Sequence, residues 1–158
     1  MRYVTVWIWL LFVAAPSWAV DCAALTFRGQ GYTACTVDIR HDDIRLFLRA
    51  PDAVPYGDFL TLNLALAQQN LTLSFAMNAG MYHPDRSPVG YYVEQGVTRM
   101  RLLTRASPGN FGLLPNGVLC IGDRTIEVIE TLRFAARNLV CRSASQSGPV
   151  LVIDGALH

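Results

Sequence analysis

Apolar stretches in this chain are short, and turn-forming residues interrupt almost all of them. Runs at 33–39, 44–48, 71–77, 89–93, 111–114, 118–121, 126–129 and 150–153 have the length and apolar content of β-strands. Gln95-Gly96, Asn116-Gly117 and Gly122-Asp123 are turn signals between them. Strands this short and this closely spaced pair with their neighbours through hairpins, which favours an antiparallel sheet. Residues 91–98 read as one hairpin, and 111–121, around Pro115-Asn116-Gly117, as another.

Helical signal is confined to two places. Asp58 is a good N-cap for a helix over 59–69, with Phe59, Leu62 and Leu66 on one face. Leu60, Leu62, Leu64 and Leu66 also alternate as a strand would, but the length and the Ala-Gln-Gln ending favour the helix. Residues 131–137 form a second, shorter candidate. The expected class is α+β, a mainly antiparallel mixed sheet with one or two helices. The chain shows no internal repeat, low-complexity tract or linker.

Residues 1–19 read as an export signal. Arg2 is a minimal positive start, residues 4–15 are almost wholly apolar, and Ser17-Trp18-Ala19 supplies the small residues that a signal peptidase reads. The apolar run is shorter than the roughly 20 residues that a membrane span needs, so a retained anchor is the lesser reading. Asp21 before Cys22 argues against a lipoprotein, because a small residue is needed there. Residues 20–158 then form one domain, periplasmic or secreted, with enough length for a core.

Cys22, Cys35, Cys120 and Cys141 all follow the signal. An even number of cysteines in an exported chain points to disulfides, and the absence of a Cys-x-x-Cys pair argues against zinc. Of the three possible pairings, Cys22 with Cys35 and Cys120 with Cys141 is favoured. Cys22 and Cys35 would close a short N-terminal loop, and Cys120 and Cys141 lie in or beside strand-like segments. A buried, unpaired Cys120 is the alternative.

The net charge is +1, so a concentrated basic face for nucleic acid is not expected. All thirteen basic residues are Arg. That suits bidentate phosphate or carboxylate recognition, and equally reflects a genome that favours Arg codons.

Three segments put polar residues at the ends of apolar strands, where a sheet holds them and a loop exposes them. They are Phe75-Ala76-Met77-Asn78-Ala79-Gly80-Met81-Tyr82 running on to Ser87-Pro88-Val89-Gly90, then Asn110-Phe111 followed by Pro115-Asn116-Gly117-Val118, then Ser147-Gly148-Pro149 followed by Val152-Ile153-Asp154-Gly155. In this order and spacing, over residues 32–158, they resemble the phosphodiester glycosidase family of exported proteins, in particular a bacterial branch of uncharacterised function. That family includes the uncovering enzyme, which removes N-acetylglucosamine from a sugar phosphodiester. The resemblance implies an exported hydrolase of sugar-1-phosphodiester bonds in envelope or extracellular polysaccharide, with a carbohydrate or sugar-phosphate ligand and no cofactor. It also implies a longer chain, since family members continue past the point matching His158 into a further Asp-Gly-rich, Ser-containing loop. The expectation is therefore an incomplete C-terminal half.

Cleaving such a bond needs a proton donor for the leaving group, a base or nucleophile opposite, and donors around the phosphate. Asp85 and Asp154 are the carboxylates in suitable loops, and His83 titrates near neutrality. Each has a plain alternative: Asp154-Gly155 is a common hairpin turn, Asp85 a turn former, His83 a surface residue. His83 and Asp85 could also be metal ligands, but no third ligand is placed, so no metal is expected. Asn78 beside Gly80 can donate to and accept from a sugar or phosphate where the backbone approaches closely, or cap its own turn. Arg86, Asn110, Gln146, Ser147 and Gly148 complete the expected binding set. Ser147 is read as a donor to an anion and not as a nucleophile, because Ser-Gln-Ser-Gly-Pro lacks the nucleophile-elbow pattern. The competing class is a non-catalytic polysaccharide-binding or assembly module, with Tyr82, Tyr91 and Tyr92 as candidate sugar-stacking residues, or an inactive fragment.

Overall fold

The computed structural model describes residues 20–158. The proposed signal, 1–19, lies outside the described residues.

The chain is an α+β protein around one five-stranded antiparallel sheet. An N-terminal hairpin comes first, β1 (Asp21–Phe27) with β2 (Gln30–Thr36), pairing Cys22 directly with Cys35. Helix α1 (Phe59–Ala67) follows. The sheet contains β3 (Tyr92–Glu94), β4 (Val97–Met100), β5 (Gly117–Ile121), β6 (Ile126–Glu130) and β7 (Ser143–Ser147), in the order β4-β3-β7-β5-β6. Helix α2 (Thr131–Arg137) joins β6 to the return into β7. A small hairpin, β8 (Val152–Ile153) with β9 (Ala156–Leu157), follows β7.

Local chemistry accounts for the helices. The Asp58 carboxylate accepts from the Thr61 amide at 2.7 Å and starts α1. Leu62 and Leu66 are buried while Leu60 and Leu64 are exposed, so the alternating leucines resolve as two faces of a helix. Glu130 caps α2 by accepting from the Leu132 and Arg133 amides, and Asn138 ends it in the left-handed conformation.

Strand alternation splits the sheet between two faces. Val93, Val118, Cys120 and Ala144 pack with Ile129, Phe134 and Cys141 into the core under α2. Tyr92, Ser143, Ser145 and Ser147 lie on the opposite face, which the segment before β3 partly covers. There the Leu48 amide donates to Glu94, and Gly80 lies against Ser145.

The four cysteines form the expected disulfides, with Cα separations of 4.0 Å for Cys22–Cys35 and 5.4 Å for Cys120–Cys141. Two disulfides are compatible with an exported protein. No described helix is long and apolar enough to cross a membrane.

Four sequence expectations are corrected. Residues 71–77 alternate in hydropathy but join no strand; Leu71, Phe75 and Met77 are exposed, and the Leu73 amide bonds to the Asn63 side chain of α1. Residues 44–48 are likewise outside any strand. Residues 111–114 are not a strand, since Asn110–Gly112 is a turn of 3₁₀ helix. Consequently β5 pairs not with that segment but with β6, through the Gly122-Asp123 turn. The hairpin over 91–98 is present as β3–β4.

Candidate functional site

The three motif segments meet at the end of β7. Gly80 packs so tightly on this strand that a Cβ there would lie 2.6 Å from Ser145 Oγ. Gly148 packs on Asn116, where an added Cβ would stand 2.6 Å from the Asn116 Cβ. The Val150 amide donates to the Pro115 carbonyl at 2.7 Å. A side chain at Gly148 would press on the Asn116 Cβ and backbone and part the segments, while one at Gly80 would crowd the Ser145 hydroxyl.

Between them lies an open cleft of about 360 Å³. Ala79 comes from the first motif, Gly117 from the second, and Ser147, Gly148 and Pro149 from the third, with Ser145 on its floor. Leu119, Val128, Leu151 and Val152 form its apolar wall. Hydroxyls and backbone groups beside an aliphatic surface can bind a ligand with a polar edge and an apolar face, which a sugar ring has.

Gln146 is not on this cleft. It leaves β7 on the opposite face from Ser145 and Ser147 and is 2 % exposed. Its Nε2 donates to the Leu103 carbonyl at 2.7 Å, to Thr131 Oγ1 at 3.0 Å and, more weakly, to Asn116 Oδ1 at 3.4 Å. Its Oε1 accepts from the Tyr91 amide at 3.0 Å and the Leu103 amide at 3.1 Å. With its amide so committed, Gln146 holds the surrounding segments in place and leaves ligand contact to its neighbours.

The charged candidates lie off the cleft lining. Residues 81–89 form a hairpin-like loop, closed by bonds from the His83 amide to Ser87 O and from the Val89 amide to Met81 O. His83, Asp85 and Arg86 occupy its exposed tip, where Arg86 stacks 5.2 Å over the Tyr82 ring. Asp85 accepts from the Ser87 hydroxyl at 2.6 Å and the Ser87 amide at 2.9 Å, and these bonds hold its carboxyl below the usual range. Asp154 turns the β8–β9 hairpin, with positive φ at both Asp154 and Gly155, and forms a forked ion pair with Arg133 of α2 at 3.2 Å. Hydrogen bonds from Arg133 lower its pKa. Both carboxylates are therefore held ionised, a state suited to a base or an electrostatic partner and unsuited to a proton donor at neutral pH. Asn78 is exposed next to Ala79 of the cleft, and Asn110 begins the 3₁₀ turn.

One carboxylate escaped the sequence reading. Burial raises the pKa of Glu94, opposed chiefly by a bond from the Leu48 amide. It shares a sheet face with Tyr92, whose buried hydroxyl lies close enough to interact with the Glu94 carboxyl but makes no hydrogen bond of full geometry. The signal was available in Tyr92-Val93-Glu94, because strand alternation puts Glu94 on the same side as a large aromatic residue. In the β3–β7 register, however, Tyr92 stands opposite Ser145, so Glu94 lies toward Ser143 and away from the Ser147 end. Among the described residues no group of three or more His, Cys, Asp or Glu is placed to hold a metal ion.

Among known proteins, the chain is similar to the uncharacterized protein YigE of Escherichia coli (strain K12), at 28% identity over 158 residues. The match takes in 96% of this chain and 59% of that relative, so the chain spans well under two thirds of its length. No family model and no solved structure matches.

Proposed function

We propose that the cleft at the end of β7 binds a sugar phosphodiester, and that the chain acts in an exported hydrolase of sugar-1-phosphodiester bonds in envelope or extracellular polysaccharide. The carrying observation is the contact of Gly80 with Ser145 and of Gly148 with Asn116, which draws three polar motif loops onto one cleft. In this reading the Ser145 and Ser147 hydroxyls and the backbone at Ala79 and Gly148 receive the ligand's oxygens, and the Leu119–Val128 wall receives the sugar face. Asn78 borders the same loop and supplies an amide.

A second reading, a non-catalytic polysaccharide-binding module, is favoured by the carboxylates. Asp85 and Asp154 are exposed, ionised and engaged with Ser87 and Arg133, and neither lines the cleft.

Binding and turnover of a defined N-acetylglucosamine-1-phosphodiester, measured separately on the same preparation, test both readings. Saturable binding that Ser147→Ala weakens, accompanied by release of free sugar, supports the hydrolase. The same binding without release supports the module. Absence of binding overturns both.

A further inference from the structure

A second cleft, of about 570 Å³, lies along the segment that follows β4, lined by Arg101, Leu103, Thr104, Arg105, Ala106 and Ser107. We propose that it binds a phosphate group, as a site separate from the cleft at the end of β7. Four observations lead there.

The first is charge. Residues 97–116 contain Arg99, Arg101 and Arg105 and no acidic residue, in a chain whose net charge is only +1. The second is pairing. Arg40, Arg45, Arg133, Arg137 and Arg142 each meet a carboxylate. Arg101 and Arg105, like Arg28, Arg99 and Arg124, have no ion pair among the described residues, but these two alone share a cleft, whose lining also includes Thr104 and Ser107. Two guanidinium forks and two hydroxyls offer more donors than a carboxylate can accept, and suit the several oxygens of a phosphate.

The third is rigidity. A flexible arginine pair would lose much of its binding energy to ordering, but this backbone is anchored to the central strand midway between the two arginines. Leu103 is held through both its N–H and its carbonyl by the buried Gln146 side chain. Ser107 donates its amide to Gly112 O, and Gly112 sits so close to the Ser107 backbone that no Cβ fits. The fourth is position. Gln146, which anchors this segment, and Ser145 and Ser147, which line the other cleft, leave β7 on opposite faces. The two clefts are thus distinct.

The test uses the whole chain with two probes, inorganic phosphate and poly(glycerol phosphate), followed through the arginine side-chain N–H signals and by calorimetry. Arg101→Gln/Arg105→Gln is compared with Arg28→Gln/Arg124→Gln, which removes the same charge elsewhere on the surface. Loss of two charge-assisted contacts should weaken binding about tenfold or more, and the control pair should change it less than about twofold, as expected of screened long-range charge. Equal weakening by both pairs, or no saturable binding of either probe, overturns the site. Binding of inorganic phosphate alone identifies a free phosphate ligand, and tighter binding of the polymer identifies a chain of phosphodiesters; each supports the site. Both arginines are exposed, and circular dichroism verifies that the variants keep their fold.

Discussion

Gln146 binds Leu103, 43 residues earlier in the chain, as a neighbouring strand would: its side-chain Nε2 donates to the Leu103 carbonyl at 2.7 Å while its Oε1 accepts from the Leu103 amide at 3.1 Å. The same Oε1 accepts the Tyr91 amide, and the same Nε2 reaches Thr131 and Asn116. One buried side chain thus ties the start of β3, the segment after β4, the start of α2 and the turn before β5 to the central strand.

Gln146→Ala should therefore destabilise the chain by on the order of 3 kcal/mol, because several buried donors and acceptors lose their partner at once. Urea denaturation measures it. Gln146→Glu should be worse still, since it places a charge where only 2 % of the residue is exposed. A loss below about 0.5 kcal/mol in the alanine variant would show that water replaces the amide without penalty.

The two disulfides should differ in consequence. Cys120–Cys141 lies in the core cluster under α2, whereas Cys22–Cys35 clips a hairpin whose residues are almost all exposed. Cys120→Ser/Cys141→Ser should cost about 2–5 kcal/mol, the usual range for a small secreted domain. Cys22→Ser/Cys35→Ser should free β1 and β2 and leave the main unfolding transition nearly unmoved. Thermal unfolding of each pair variant, with proteolysis reporting on the hairpin, checks both statements.

Much of this fold was legible. The Asp58 cap, the helix after Glu130, the 91–98 hairpin, the 118–121 and 126–129 strands and the cysteine pairing all rest on local signals that the packing left intact. What was hidden has a common cause. Strand β7 is the centre of the sheet, yet its sequence is Ser-Ala-Ser-Gln-Ser. Small residues stand there because Gly80 and the motif loops press against it, and Gln146 because its side chain makes five hydrogen bonds to four residues, so no hydrophobic pattern marks it. Conversely, 71–77 carries a strand's alternation without a neighbouring strand to pair with. Strand-end placement could not locate the cleft, because 71–77 and 111–114 form no strand, and that Asp85 and Asp154 fall outside its lining depends on where two hairpin tips point.

Gly80 and Ser145 offer a direct test of that convergence. Gly80→Ala should destabilise by about 1–3 kcal/mol through overpacking against the strand and weaken ligand binding in the cleft. Removing the obstructing hydroxyl, in Gly80→Ala/Ser145→Gly, should restore part of both losses. A double-mutant cycle reads the coupling directly, and strict additivity of the two changes would mean that the residues are not in contact.

Glu94 gives a pH signature of opposite sign to that of the paired aspartates. Burial raises its folded pKa above the unfolded value, which is near 4.3 for an ordinary Glu. Between those two values the folded state holds the proton that the unfolded state has lost. Stability from this group is therefore greatest below the unfolded pKa and declines as pH rises through the window up to the raised folded pKa. The lowered groups, Asp38, Asp43, Asp58, Asp85 and Asp154, act the other way, losing their stabilisation only as pH falls below the ordinary carboxylate range. Glu94→Gln keeps an acceptor for the Leu48 amide and removes the penalised charge. Denaturant titrations from pH 4 to pH 8 should show a flatter decline for Glu94→Gln than for the parent, equal stability at the acid end and a gain at the neutral end. An unchanged slope would mean that the Glu94 carboxylate reaches water in the folded state.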